Sequence, residues 1–282
     1  MFSLYGIVIQ FARIWERIWP FERGTYVPWR FIKRGLDCGA LHSTWFEFRP
    51  GLWMKLDFRD VLQRGILLYD VWDAATTKLI LRNLSPGMLF IDIGANVGYF
   101  TLVAAQQVGQ LGRVIAVEPN PLVAEQLRQN VARSGLSNAV VVQAACSDSN
   151  QRRSLYLANI SGTGNTGQSS FSAQNARSEV SVDVECVTVD QLVEGAKSTR
   201  VDLVKIDVEG AEMSVLRGMT RTLTRFRPKL IIEINPERLD SFATKPGDVI
   251  GFIEGFGYRT GEIKEQTALS DYLFVPVEQS TG

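Results

Sequence analysis

The sequence predicts an α/β fold: a doubly wound, mostly parallel seven-stranded sheet with an N-terminal helical and strand extension. Three observations carry that expectation. Short, nearly all-apolar runs alternate with helix-length, polar-patterned segments, as parallel strands covered on both faces alternate with their crossover helices. A glycine-bearing turn, Gly94 to Gly98, follows the first of those runs and leads into a helix-like segment. The last two strand-like pieces, YRTGEI and DYLFVPV, flank a short turn-rich stretch and suit an antiparallel pair at one sheet edge.

Taken in order, the chain starts with Leu4, Ile7, Val8, Phe11, Ile14, Trp15, Ile18 and Trp19 at the three-and-four spacing of one helical face, and Pro20 stops that helix. Residues 1–20 read as a helix packed on the main domain or in a dimer, with a membrane interface as the alternative. No apolar run is long enough to span a membrane and no signal-peptide cleavage pattern follows, so the expected location is cytoplasmic, or peripheral at a membrane surface. Tyr26 to Ala75 is rich in aromatic residues, and Leu52 to Asp60 alternates like a half-buried strand. Asp73 to Leu84 has weak helical periodicity before Ser85-Pro86-Gly87 breaks the chain, which sets the expected boundary between a cap (1–84) and a main domain (85–282).

In the main domain, strands are expected at Met88–Gly94, Arg113–Pro119, Ala139–Ser147, Val201–Gly210 and Lys229–Ile234. Helices are expected at Tyr99–Val108, Pro121 to about Ser134, Asp190–Glu194 and Met213–Leu223. Asn159 to Asn175 is polar and rich in glycine and serine, and reads as a long loop, a class that is commonly functional. The alternating EVSVDVECVTV after it reads as a strand returning to the sheet.

Composition excludes several chemistries. Lys plus Arg and Asp plus Glu both number 30, which argues against a nucleic-acid binder. His42 is the single imidazole and Cys38, Cys146 and Cys186 are far apart, so no histidine-rich zinc site or Cys-x-x-Cys pair can form. An enzyme of this composition must work with carboxylates, backbone groups and a cofactor.

The turn Asp92-Ile93-Gly94-Ala95-Asn96-Val97-Gly98 departs from both the dinucleotide fingerprint and the phosphate loop, and the Asp92 carboxylate suits an ammonium rather than a phosphate. Glu118 ends the second strand, where a carboxylate can accept both hydroxyls of a ribose. A ligand with a ribose and an ammonium satisfies both acids, and S-adenosylmethionine is such a ligand.

These strings resemble the FkbM family of S-adenosylmethionine-dependent methyltransferases, which have the class I, Rossmann-like fold. The matching pieces are GMLFIDIGANVGYFTLVAA, GRVIAVEPNP, Asn130 in the following helix, QAACSD, VTVDQL, VDLVKIDVEGAEMSVLRGM and PKLIIEI, spread from about Trp53 to Val277. The resemblance implies that Asp92, Gly94, Asn96 and Gly98 line the methionine and ribose part of the cofactor, with Tyr99 among the cofactor residues. It implies that Glu118 binds the ribose and Asp148 the adenine amine, and that the methyl goes to a hydroxyl of a sugar, glycolipid, polyketide or other small natural product. The remaining alternatives are transfer to nitrogen or to a phenolic or carboxyl oxygen, and a non-catalytic cofactor-binding partner subunit.

KIDVEGAE places Lys205, Asp207 and Glu209 on one side of an extended segment, with Lys205 a buried partner for one of the acids. Glu233 and Asn235 stand at the same end of the neighbouring strand, and Glu212 opens the next helix. Asp207, Glu209 and Glu233 are the candidate catalytic bases, and Asp207 also borders the cofactor. So many acids in one crevice call for a compensating cation, met by the cofactor's sulfonium or by a divalent metal such as Mg2+.

Overall fold

The computed structural model describes residues 43–57, 59–158, 166–266 and 269–278. The expected helix within residues 1–20, Cys38, His42 and residues 159–165 of the expected loop fall outside them. The chain divides into two compact units, one drawn from residues up to Trp72 and the other starting at Asp73.

In the first unit, β1 (Ser43–Arg49) and β2 (Leu52–Asp57) form an antiparallel hairpin. Leu52, Met54 and Leu56 are buried and alternate with half-buried neighbours, as the sequence pattern requires of a strand with one covered face. Helix α1 (Val61–Tyr69) packs on the hairpin and is capped by Asp60, whose carboxylate accepts the Gln63 backbone N–H at 2.9 Å.

The second unit opens with α2 (Ala74–Asn83), so the weakly periodic segment before the Pro-Gly break groups with this unit. Its sheet contains β3 (Leu89–Ile93), β4 (Arg113–Val117), β5 (Ala139–Val142), β9 (Leu203–Ile206), β10 (Lys229–Ile234), β11 (Tyr258–Gln266) and β12 (Leu269–Pro276). The spatial order is β11-β12-β10-β9-β3-β4-β5. Six strands run in one direction, and β12 runs antiparallel between β10 and β11. The expected mixed seven-stranded sheet is therefore present, with the antiparallel pair at one edge. The strand order reverses between β3 and β9, and in open α/β sheets ligands bind outside the carboxyl ends at such a switch point. Helices α3 (Tyr99–Val108) and α4 (Pro121–Arg133) follow β3 and β4 where the apolar spacing places them.

Three expectations need correction. The apolar run Ala139–Ser147 is not one strand. It supplies β5 to the main sheet and then β6 (Ala145–Cys146) to a separate three-stranded sheet of order β6-β8-β7. EVSVDVECVTV becomes β8 (Ser181–Val187), which pairs with β7 (Gln151–Tyr156) in that small sheet and does not rejoin the main one. The helix expected over Met213–Leu223 is two helices. A Cβ on Gly218 would stand 2.0 Å from the Ser147 carbonyl oxygen, so close backbone approach interrupts the chain there. The described part of the glycine- and serine-rich stretch includes a short helix, α5 (Ala173–Ala176), capped by Ser172. Helix α6 (Val189–Gly195) then leads to β9. Beyond β9 come α7 (Glu212–Arg217), α8 (Thr220–Arg225), α9 (Pro236–Asp240) and α10 (Pro246–Glu254). Asp190 starts α8 by accepting the backbone N–H of Arg221 at 3.0 Å and of Thr222 at 2.7 Å.

Candidate functional site

The carboxyl ends of β3, β4, β9 and β10 bring most of the expected site residues together. Asp92 lies in register with Lys205 on β9 and is completely buried. Its Oδ2 accepts the Thr101 hydroxyl at 2.6 Å, while Oδ1 has no hydrogen-bond partner among the described residues. Burial raises the Asp92 pKa, with Lys205 and Thr101 acting against that shift. Lys205, its register neighbour on β9, is the protein's own ammonium acting on this acid.

Lys205 is the buried cation of the site. Its Nζ pairs with Asp207 Oδ2 at 2.9 Å and stands 4.9 Å from the centre of the Phe100 ring. Burial works against its charge, yet Asp207 and Asp92 together hold its pKa above the usual lysine range. A Lys205→Met variant leaves two acids facing each other without a cation, and should lose about 3–5 kcal/mol of stability. Urea denaturation measures this, and an unchanged midpoint would refute the pairing as a stabilising contact.

Between β3 and α3 the chain turns through Gly94 and Gly98, at φ of +80° and +95°. A Cβ on Gly94 would lie 1.8 Å from the Asp207 carbonyl oxygen, and one on Gly98 would lie 2.2 Å from Leu127 Cδ1. The Gly94 requirement thus comes first from the contact between the β3 and β9 ends. Asn96, also left-handed at φ +50°, donates its N–H to Glu118 Oε2 at 2.9 Å. Asn130, wholly buried on α4, donates to the Val97 carbonyl at 2.8 Å and holds the turn from below.

Glu118 follows β4 and is buried, and its Oε1 accepts the Asn120 N–H at 2.9 Å. Burial pushes its pKa up to about 7, against the opposing pull of those two backbone donors. A carboxylate has about four acceptor positions, so two remain for a ribose diol. Tyr99 begins α3 but points into the interior, edge-on to Phe100 and with its hydroxyl 3.4 Å from Thr77 Oγ1. Asp148 is exposed just beyond β6 and accepts the hydroxyls of Ser147 and Ser149.

Asp207, just past β9, donates its N–H to the Ile93 carbonyl at 3.1 Å. Strand alternation ends there, because Glu209 has φ +55°. A left-handed turn, not an extended segment, carries Glu209, and its Oε2 pairs with Arg238 Nε at 3.0 Å. The acids still sense one another. Burial and then Asp207 raise Glu209 to about 8, with Arg238 opposing. Asp207, burial, Glu209 and Asp271 raise Glu233 to about 10. Glu212, raised to about 7 by burial, accepts the Gly210 N–H at 3.0 Å. Asn235 caps α9 by accepting the N–H groups of Glu237 and Arg238.

Sequence reading missed Asp271, Arg238, Asn175 and Thr101. Asp271 reaches the acids only because β12 pairs Asp271 with Glu233, and it accepts the Thr76 hydroxyl. Its pKa is raised by burial. Among the described residues no group of three or more acidic, histidine or cysteine side chains is arranged to hold a metal ion. The expected alternative of a divalent metal finds no ligand set there.

The family model of the methyltransferase FkbM domain matches residues 92–260, more than half of the chain. The chain belongs to the FkbM methyltransferase family. The hexuronic acid methyltransferase AglP of Haloferax volcanii is 27% identical over 146 residues, covering 52% of this chain and 56% of that protein. Methyltransferase 1 of Beauveria bassiana is 31% identical over 171 residues, covering 55% and 67%. The 2-O-methyltransferase NoeI of Sinorhizobium fredii is 28% identical over 155 residues, covering 50% and 61%. The chain thus spans 56% to 67% of the length of these three relatives. The FkbM domain here is an S-adenosylmethionine-dependent methyltransferase domain, and the Gly94–Gly98 turn with the Glu118 carboxylate fits a ribose-bearing cationic cofactor. No helix among the described residues is long and apolar enough to cross a membrane.

Proposed function

We propose that the protein transfers a methyl group from S-adenosylmethionine to a hydroxyl of a sugar, glycolipid, polyketide or other small natural product. The observation that carries this reading is the pairing of the Gly94–Gly98 turn and Glu118 with the acids Asp207, Glu209 and Glu233 at the same end of the sheet. Two relatives named for a hexuronic acid and for 2-O transfer support a sugar hydroxyl as the acceptor.

The cofactor supplies an activated methyl sulfonium, so the protein's share is orientation and proton handling. Glu118 would hold the ribose hydroxyls. Asp207 is engaged by Lys205, and Glu233 keeps its proton at neutral pH and donates a hydrogen bond to the acceptor oxygen. Glu209 would take the proton of the acceptor hydroxyl, and the bound cofactor would supply the activated methyl group that the hydroxyl oxygen accepts. Activity therefore rises with pH as Glu209 ionises near 8.

With labelled S-adenosylmethionine, methyl glucoside or methyl glucuronide should accept the methyl group on a hydroxyl, and transfer to neither would overturn the sugar-hydroxyl reading. Calorimetry with S-adenosylhomocysteine tests the cofactor, and absence of binding would end the methyltransferase reading.

A further inference from the structure

Three donors from outside β9 converge on one residue, Glu209. Ser170 Oγ and Asn175 Nδ2 each donate to its carbonyl oxygen at 3.0 Å. Arg238 Nε pairs with its carboxylate at 3.0 Å. The donors are also tied to each other. Asn175 Nδ2 donates to the Arg238 carbonyl at 2.9 Å, Arg238 Nη1 donates to the Asn175 carbonyl, and Ser241 Oγ donates to Asn175 Oδ1 at 2.8 Å. Asn175 is buried, so each of its side-chain atoms is satisfied inside the protein.

This closed ring joins the end of the serine-rich segment, through α5, to the turns that follow β9 and β10. Its centre is a non-glycine residue in the left-handed region, a conformation that persists only where surrounding contacts over-determine it. We propose that Arg238 and Asn175 are positioning residues that hold the Glu209 carboxylate beside Asp207, at the reacting end of the sheet. This rests on the reading of Glu209 as the proton acceptor. Arg238 fixes the carboxylate directly, while Asn175 fixes both the Glu209 carbonyl and the backbone of Arg238. The groups facing Glu209 are Asp207 and Lys205 from the β9 end, Glu212 from α7, Glu233 from β10 and Arg238 from α9. Burial, then Asp207 and Glu212, raise its pKa while Arg238 and Lys205 lower it, so losing Arg238 moves its titration upward.

The test is a carbon-13 NMR titration of glutamate carboxyls in the full chain, with the Glu209 signal assigned from its loss in Glu209→Gln. Arg238→Met should raise the Glu209 midpoint by about one pH unit, and Arg238→Lys should restore most of that shift. Asn175 carries no charge, so an upward shift of roughly 0.3 unit or more in Asn175→Ala reports displaced geometry alone. Midpoints equal to wild type in both Arg238→Met and Asn175→Ala would overturn the proposal. If Arg238→Met does not fold, Asn175→Ala decides, since a wild-type midpoint there refutes it. S-adenosylhomocysteine calorimetry on the same samples keeps the two readings apart. A wild-type chain that fails to bind removes the methyltransferase reading, whereas normal binding with unmoved midpoints removes only the positioning roles.

Discussion

Gly94→Ala is expected to abolish measurable cofactor binding and to destabilise the protein by on the order of 3–5 kcal/mol. The added Cβ would stand 1.8 Å from the Asp207 carbonyl oxygen, and backbone on both sides leaves no flexible atom to yield. Relief requires the ends of β3 and β9 to part. That breaks the Asp207 N–H bond to the Ile93 carbonyl and displaces the turn whose Asn96 N–H reaches Glu118. Gly87 provides the control. It has a similar φ of +84° with open space around its Cβ position, so Gly87→Ala should cost only about 1 kcal/mol and leave binding intact. Urea melts and S-adenosylhomocysteine calorimetry on the pair measure both effects. A Gly94→Ala protein no weaker than Gly87→Ala would show that close approach of the two strand ends does not govern the site.

Cofactor affinity should rise about tenfold between pH 6 and pH 8, following the ionisation of a single carboxyl near 7. Burial places Glu118 there. Ribose hydroxyls donate to the charged carboxylate, so binding selects the form that is scarce at pH 6 and dominant at pH 8. Stability has the opposite sign. The folded pKa lies above the ordinary 4.5, so the native state holds this proton more tightly, and the Glu118 contribution to stability falls as pH rises from 4.5 through 7. Glu118→Gln should flatten the pH dependence of affinity and weaken binding at pH 8 by about tenfold or more, through loss of a charge-assisted hydrogen bond. Calorimetry across the pH range checks this, and a wild-type affinity that is flat from pH 6 to 8 would refute it.

The parts of the fold legible in the sequence are those whose signal is local. β3, β4 and β10 are mostly apolar runs, and α3 and α4 follow glycine and Asn-Pro starts, so type and limits can be read within a residue or two. The split of Ala139–Ser147 between two sheets was hidden because periodicity reports burial and not which partner provides it. The break between α7 and α8 depends on the Ser147 backbone, some seventy residues earlier. The site divides in the same manner. Glu118 and Asp207 were visible as acids at strand tips, whereas Asp271, Arg238 and Asn175 carry no local signature.

The DIGAN and KIDVEGAE strings on nearly all-apolar strand runs were enough by themselves to determine an FkbM methyltransferase domain on a mostly parallel sheet, with a single histidine pointing to carboxylates as the candidate bases. Tertiary structure alone decided where those carboxylates sit and what they touch. Asp92 is turned toward Lys205 and buried, Glu209 leaves the strand through a left-handed turn, and Arg238 and Asn175 close around it. The physical reason is that a side chain's charge state and direction are set by desolvation and by neighbours distant in the chain, whereas strand and helix formation is set by residues close along it.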